Sequence, residues 1–120
     1  MQIIGLDHIL LAMPPGREDE ASHFYGVLLG LTELNKPDAL ADLGGCWFEG
    51  PGLVIHIGVD AQFIPATKAH PAFLALDLEA LQRVLSAAGF PVKSDENLPD
   101  VRRFFSADPF GNRVEFIQAD

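Results

Sequence analysis

The sequence predicts an α+β fold made of two βαβββ modules that together form a cupped mixed β-sheet with helices outside. Two amphipathic helical stretches, each flanked by strand-like segments, support this prediction, as does a spacing that recurs in both halves. Three residue pairs are each 59 positions apart: Gly30 and Gly89, Gly52 and Gly111, His56 and Glu115. We therefore expect one domain over residues 1–120, with module one at about 1–59 and module two at about 69–120.

The first helix is predicted from about Arg17 to Leu29, because three acidic residues open it where the helix dipole favours anions. Its buried stripe is expected to contain Ala21, Phe24, Leu28 and Leu31. The second helix is predicted from Asp77, as N-cap, to Ala88. A glycine follows each helix at the position where a left-handed residue commonly ends one.

Strands are predicted at 5–13 and 70–76, before the two helices, and three short strands are expected after each helix. The last strand of each module follows a Gly/Pro turn, because EGPGLVIHI aligns with DPFGNRVEFI. The stretch LVIHIG is apolar except for His56, so this strand is expected to be buried on both faces. A polar ring in such a place needs a hydrogen-bonding partner or a metal.

The composition of the chain limits which binding partners and which cellular location are expected for the protein. The net charge of −9 disfavours nucleic acid and anionic membrane surfaces as partners, which leaves small molecules and other proteins. Cys46 is the single cysteine, and no apolar run reaches the roughly 18 residues of a membrane span. The first residues lack the basic region of a signal peptide, so a cytoplasmic location is expected.

Four ionisable residues stand among apolar neighbours at positions related by the repeat: His8, His56, His70 and Glu115. A single histidine in a strand is usually there for an ordinary hydrogen bond. Four ionisable residues rarely occupy repeat-related positions by chance. If the two modules pack around a shared concavity, these groups converge on one point. Three imidazoles and a carboxylate suit Zn, Ni, Mn, Co or Fe(II) better than Ca or Mg.

The segments LDHILLAM, FYGVLLGLTEL, AHPAFLAL and FSADPFGNRVEFI resemble those of the vicinal oxygen chelate superfamily, which includes glyoxalases, bleomycin-resistance proteins and extradiol dioxygenases. The resemblance covers about Gly5 to Gln118, and DPFGNRVEF is its most specific part. It implies a divalent metal bound by His8, His56, His70 and Glu115, with the metal acting as a Lewis acid on adjacent substrate oxygens. It also implies a homodimer, in which His8 and His70 come from the same or from different chains.

Three functions follow from this resemblance. The first is a lyase or isomerase of the glyoxalase type, with Glu115 as metal ligand and base. Glyoxalase I has a carboxylate where this chain has His56, which disfavours a two-base isomerisation. The second is an Fe(II) extradiol dioxygenase that uses His8, His70 and Glu115, and the third is a metal-free, resistance-type binding protein.

Arg103 is predicted to point toward the cup, where it could bind a substrate carboxylate through two hydrogen bonds. A surface ion pair with one of the 17 acidic residues is the alternative. Leu10 and Phe105 stand where fosfomycin-modifying relatives carry hydroxyls, so that substrate is not expected.

Overall fold

The computed structural model describes residues 1–120 and divides into two compact units, Met1–Phe63 and Ile64–Asp120. Each unit contains one four-stranded mixed β-sheet and its own helical segment. The predicted α+β class, with two βαβββ modules, is confirmed. No helix of the chain has both the length and the apolar character needed to cross a membrane.

The first unit builds its sheet in the order β1-β4-β3-β2, with β1 parallel to β4 and the other pairs antiparallel. Its elements in chain order are β1 (Ile9–Met13), α1 (Glu18–Ala21), a π-helical segment (Ser22–Leu28), β2 (Thr32–Leu34), a 3₁₀ segment (Asp38–Leu43), β3 (Cys46–Gly50) and β4 (Leu53–Val59). The first and last strands therefore lie side by side, although 39 residues separate Met13 from Leu53 along the chain.

The second unit repeats this topology in the order β5-β8-β7-β6, with β5 parallel to β8. Its elements are β5 (Ala72–Ala75), α2 (Leu78–Ala87), β6 (Lys93–Ser94), β7 (Arg103–Ala107) and β8 (Arg113–Gln118). Leu10 pairs with His56 in the first sheet and Ala72 pairs with Glu115 in the second. The sequence repeat thus corresponds to a repeat of strand register, which places His56 and Glu115 at equivalent positions.

One face of each sheet forms the core of its unit, and the opposite face carries the ionisable residues. Ile55 and Ile57 of β4 are buried, whereas Val54 and His56, which alternate with them, are half-buried. The expectation that this strand would be buried on both faces is therefore wrong. Within the unit, only the Ile55 side meets the helical segment, whose Tyr25 ring lies 5.6 Å from that of Phe48 on the neighbouring strand.

The first helix differs from the prediction in its winding. Most of it is π-helical, and the Leu29 amide donates to the Phe24 carbonyl at 2.9 Å, five residues back. The adjacent residues Phe24 and Tyr25 are both fully buried, while Leu28, expected in the buried stripe, is only half-buried.

The second helix follows the prediction closely. The Asp77 carboxylate accepts a hydrogen bond from the Ala80 amide at 3.0 Å and caps the helix. Leu78 and Leu85 are buried, and Gly89 ends the helix with a φ of 89°.

The first strands of both modules begin later than predicted, at Ile9 and Ala72 rather than at Gly5 and His70. In the parallel pairs, the ladders begin at Ile9 opposite Ile55 and at Ala72 opposite Glu115. His8 and His70 therefore precede their strands, where their backbones are not held in a sheet.

The loop between β7 and β8 is fixed by the buried side chain of Asp108. Its Oδ1 atom accepts hydrogen bonds from the amides of Phe110 and Asn112, both at 2.9 Å. The Asn112 side chain accepts in turn from the Ala66 amide at 3.0 Å. This network sets the point at which β8 begins, two residues before Glu115.

Candidate functional site

In the second unit, His70 and Glu115 form a close polar pair. The Nε2 atom of His70 lies 2.9 Å from Oε1 of Glu115. Glu115 is held by the sheet, because it pairs with Ala72 and its amide donates to the Pro71 carbonyl at 3.0 Å. Its side chain is only 7% exposed, so this carboxylate is buried and needs strong partners.

The hydrogen bonds of His70 define which ring nitrogen is free to bind a ligand. Its Nδ1 atom lies 2.8 Å from the carbonyl oxygen of Lys68. A carbonyl can only accept, so Nδ1 carries a proton and donates it. In a neutral ring, Nε2 then presents its lone pair to the side on which Glu115 lies, as in many metal-binding histidines.

Arg103 lies on the other side of Glu115 and is held between two carboxylates. Its Nη1 atom donates to Oε2 of Glu115 at 3.1 Å, and its Nη2 atom donates to Oδ2 of Asp95 at 3.2 Å. The Arg103 and Asp95 side chains are 17% and 19% exposed. Both terminal nitrogens of the guanidinium are thus bonded to this chain's own carboxylates, while its Nε atom is buried without a hydrogen-bond partner.

Phe105 forms the floor of this cluster. It pairs with Glu115 across the β7–β8 ladder. The His70 ring meets it edge to face with centroids 5.5 Å apart, and the Arg113 guanidinium lies 4.1 Å from its centre. The aromatic ring therefore limits where His70 can turn, and it receives a cation on its face.

In the first unit, three rings form a continuous stack. The His56 ring lies between those of Trp47 and His8, with centroids 4.0 Å from each. The planes of Trp47 and His56 differ by 2°, and those of His8 and His56 by 19°. Trp47 is the cross-strand partner of His56, so the sheet register produces this stack directly.

His8 has the same ring arrangement as His70. Its Nδ1 atom lies 2.8 Å from Oδ2 of Asp7, which leaves Nε2 without that partner. A carboxylate on Nδ1 is a common second contact of metal-binding histidines and fixes the orientation of the ring. The pairing differs in its acceptor, which is a side chain for His8 and a main-chain carbonyl for His70.

Burial holds the pKa of His56 below its usual value, and the neighbouring His8 ring lowers it further, while Asp7 acts in the opposite direction. The neutral imidazole is therefore favoured at neutral pH. This is the form that binds a metal, because a protonated ring has no lone pair to offer.

The four residues predicted as metal ligands lie in two pairs, His8 with His56 in the first unit and His70 with Glu115 in the second. No group of three or more His, Cys, Asp or Glu side chains that could hold a metal comes together in the chain. The donor chemistry of the second pair fits a divalent metal. Two atoms in one coordination sphere lie roughly 3 Å apart, given bonds of about 2.0–2.2 Å, and His70 and Glu115 already meet this spacing.

Two contributors to the site were not identified from the sequence. Asp7 stands next to His8, and this adjacency was the available signal. The sequence contains no comparable signal for Asp95, because this residue contacts Arg103 only through the pairing of β6 with β7. The alternative role predicted for Arg103 was a surface ion pair with an acidic residue. Arg103 does form an ion pair, but its partner Glu115 is buried.

Comparison with solved structures identifies the family. A crystal structure of a protein assigned to the glyoxalase family from Bacillus anthracis is 45% identical, covers 100% of this chain and 98% of its own, and has a TM-score of 0.93. A genomically encoded fosfomycin resistance protein, FosX, from Listeria monocytogenes is 19% identical with a TM-score of 0.79, covering 99% of this chain and 96% of its own. A glyoxalase/dioxygenase from Nostoc punctiforme is 21% identical with a TM-score of 0.73, covering 92% and 89%.

The last two similarities show the shared fold, whereas the first is close enough to show the family. The chain belongs to the glyoxalase family of the vicinal oxygen chelate superfamily, as its sequence segments predicted. A search of family models found no match. A search of curated proteins also found none.

Proposed function

We propose that this protein is a divalent-metal-dependent enzyme of the glyoxalase type, a lyase or isomerase acting on a small substrate with adjacent oxygens. The observation that carries the proposal is the pair formed by His70 Nε2 and Glu115 Oε1, 2.9 Å apart, with the His70 Nδ1 proton already donated to Lys68. The pair presents a nitrogen and an oxygen donor at the spacing of metal ligands. Family membership supports this assignment.

His8, His56, His70 and Glu115 would hold the metal. When bound, a Zn, Ni, Mn, Co or Fe(II) ion supplies a Lewis acid that binds adjacent oxygens and stabilises an enolate. Glu115 is the one carboxylate of the set, so it is also the group that would accept a proton from the substrate. Its buried setting excludes water, and Arg103 holds its second oxygen.

The active form would be a homodimer in which each metal centre combines the His8 and His56 pair of one copy with the His70 and Glu115 pair of the other. Each unit supplies two donors, whereas a catalytic metal site generally needs at least three from the protein. Two-fold symmetry would then produce two identical centres. We also propose that the 120 residues act as one glyoxalase-like domain in the cytoplasm.

The second candidate is an Fe(II) dioxygenase of the extradiol type, and the aromatic stack is the observation that favours it. His8 and His56 lie nearly parallel, whereas two imidazoles bound to one metal turn their nitrogens toward a common point. If His56 remains against Trp47, the ligand set reduces to His8, His70 and Glu115, which is the two-histidine, one-carboxylate triad of such enzymes.

Elemental analysis of protein purified without an affinity tag separates these proposals. Stoichiometric metal in the native protein that is lost in His56→Ala supports the four-ligand lyase or isomerase site. Metal retained in His56→Ala supports the three-ligand arrangement. A metal-free native protein that also takes up none of the five metals on dialysis would contradict both enzymes and leave the metal-free binding protein.

Activity then separates the two chemistries. The lyase or isomerase should exchange the proton beside a carbonyl for deuterium, observable by NMR with small α-hydroxy carbonyl compounds. The dioxygenase should consume O₂ with catechols and lose activity when its iron is oxidised. O₂ consumption with catechols by the Fe(II)-loaded protein, in the absence of any exchange, would contradict the first candidate.

A further inference from the structure

We infer that Arg103, itself held by Asp95, is a positioning residue that fixes the Glu115 carboxylate for metal binding. The inference rests on the proposed metal centre and extends it beyond the metal-binding residues. It assigns Arg103 a different role from the substrate contact that the sequence suggested. The basis is how the two oxygens of Glu115 are divided between their partners.

Strand register brings Arg103 to Glu115. In the β7–β8 ladder, Arg103 pairs with Ile117 and Phe105 with Glu115, so Arg103 lies diagonally from Glu115 on the same face of the sheet. Its Nη1 atom contacts Oε2, while Oε1 faces His70. The carboxylate cannot rotate about its last bond without losing both contacts, so its Oε1 atom is kept directed toward His70.

Asp95 fixes Arg103 in turn. Besides the bond between its Oδ2 atom and Nη2 of Arg103, its amide donates to the Arg103 carbonyl at 3.4 Å. Its other oxygen accepts from the Asn97 amide at 2.8 Å. A connected series of hydrogen bonds therefore runs from the Asn97 main chain through Asp95 and Arg103 to Glu115, whose Oε1 atom lies 2.9 Å from Nε2 of His70.

The burial of this series distinguishes it from an ordinary surface ion pair. Arg102, one residue earlier, also forms an ion pair at 3.1 Å, with Glu79. Those two side chains are 60% and 71% exposed, and such pairs contribute little. The Arg103 and Glu115 side chains are 17% and 7% exposed, so removing the guanidinium leaves a buried carboxylate without its charged partner.

Removing Arg103 should therefore weaken metal binding rather than abolish it. Loss of a group that orients a metal ligand typically costs 10- to 100-fold in metal affinity. We expect this range for Arg103→Met and a smaller loss for Arg103→Lys, because an ammonium can reach one carboxylate oxygen but lacks the planar fork. Asp95→Asn should shift the affinity in the same direction by less.

The experiment is a Zn²⁺ titration of the metal-depleted full-length protein against a chromophoric chelator, with Arg102→Met as the matched control. The expected result is a dissociation constant raised about 10- to 100-fold in Arg103→Met and unchanged in Arg102→Met. Thermal melts of the metal-free variants report whether each one folds. If Arg103→Met does not fold, Arg103→Lys and Asp95→Asn provide the same comparison.

Arg103 variants that bind Zn²⁺ as tightly as Arg102→Met would overturn the inference and leave the proposed metal centre intact. Unchanged Zn²⁺ affinity with only a raised KM would assign Arg103 to the substrate instead, which also overturns it. A native protein that binds none of the divalent metals would overturn the proposed function, and this inference with it.

Discussion

The indole of Trp47 and the imidazole of His56 lie flat against each other, with centroids 4.0 Å apart and planes that differ by 2°. Trp47 is the single tryptophan of the chain, so all tryptophan fluorescence comes from the ring that stacks on His56. The two residues are cross-strand partners on β3 and β4, and their contact is therefore fixed by the sheet. This relationship provides an optical probe of the candidate site.

Co²⁺ added to the metal-depleted protein is predicted to quench the fluorescence of Trp47. A paramagnetic ion bound at His56 would lie within a few ångströms of the indole, where quenching is efficient. The measurement is an emission titration, with His56→Ala as the comparison. Equal quenching in both proteins would show that the ion binds elsewhere.

Mixed dimers are predicted to regain activity when His8→Ala and Glu115→Gln subunits are refolded together. Each variant alone should be inactive, because every centre lacks one ligand. If each centre draws ligands from two chains, a mixed dimer has one intact centre, and a 1:1 mixture should recover about a quarter of native activity. Recovery of no activity would indicate centres built within single chains.

Cys46 is predicted to react slowly with thiol reagents in the folded protein. Burial raises the pKa of its thiol above the ordinary value of 9.0, and only 4% of the residue is exposed. In the unfolded chain the thiol has its ordinary pKa and is therefore deprotonated more easily than in the folded protein. Its contribution to the free energy of unfolding is complete below that ordinary pKa and is lost as the pH rises through the raised pKa of the folded state. The check is colour development with Ellman's reagent, slow at neutral pH and fast in denaturant.

The raised pKa of Cys46 can also be tested by urea denaturation at different pH values. Above pH 9 the free energy of unfolding should fall more steeply in the native protein than in Cys46→Ala. Rapid labelling of the folded protein, or identical pH profiles for the two proteins, would be inconsistent with the buried thiol.

Asp77→Ala is predicted to lower the free energy of unfolding by about 0.5–2 kcal/mol, the usual effect of losing an N-cap. The Ala80 amide would lose the carboxylate that now accepts its hydrogen bond at 3.0 Å. Asp77→Asn should retain most of the stability. Asp100→Ala, in the exposed loop before β7, is the matched control, and an equal effect of both alanine variants in urea denaturation would refute the cap.

Gly45→Ala is predicted to destabilise the fold more than Gly16→Ala, although both glycines have left-handed φ angles, 83° and 81°. Each substitution costs roughly 1–2 kcal/mol for the backbone conformation. A Cβ at position 45 would also lie 2.2 Å from the Ile57 carbonyl oxygen, whereas one at position 16 would meet nothing within 4 Å. The clash should add about 1–3 kcal/mol, measurable as a lower Tm. Equal Tm values would contradict it.

The sequence predicted the fold because its repeat is expressed in spacings that the backbone preserves. The interval of 59 residues between His56 and Glu115 survives as equivalent strand positions, since both lie beside the first strand of their module. The Asp77 cap and the glycine after α2 were also recognisable, because each depends on a single residue type at a defined position.

Features that arise from contacts between distant residues were not predictable in the same way. The π-helical winding of Ser22–Leu28 is not encoded in the 3.6-residue pattern from which the helix was predicted. Arg103 and Asp95 are eight residues apart with a loop between them, so their pairing depends on where β6 meets β7. The stacking of His56 on Trp47 required the exact cross-strand register, which a one-residue slip would have removed.

The acceptors on His8 and His70 differ in how they respond to mutation. The contact of His70 is the main-chain oxygen of Lys68, so any residue at position 68 can supply it. The contact of His8 is the Asp7 side chain, which single-base changes can convert to a neutral or shorter group. The Nδ1 contact of His70 is thus insensitive to substitution at position 68, while that of His8 can be changed by substitution at position 7. Natural variation among close homologues should therefore tune the centre at position 7 and tolerate many residues at position 68.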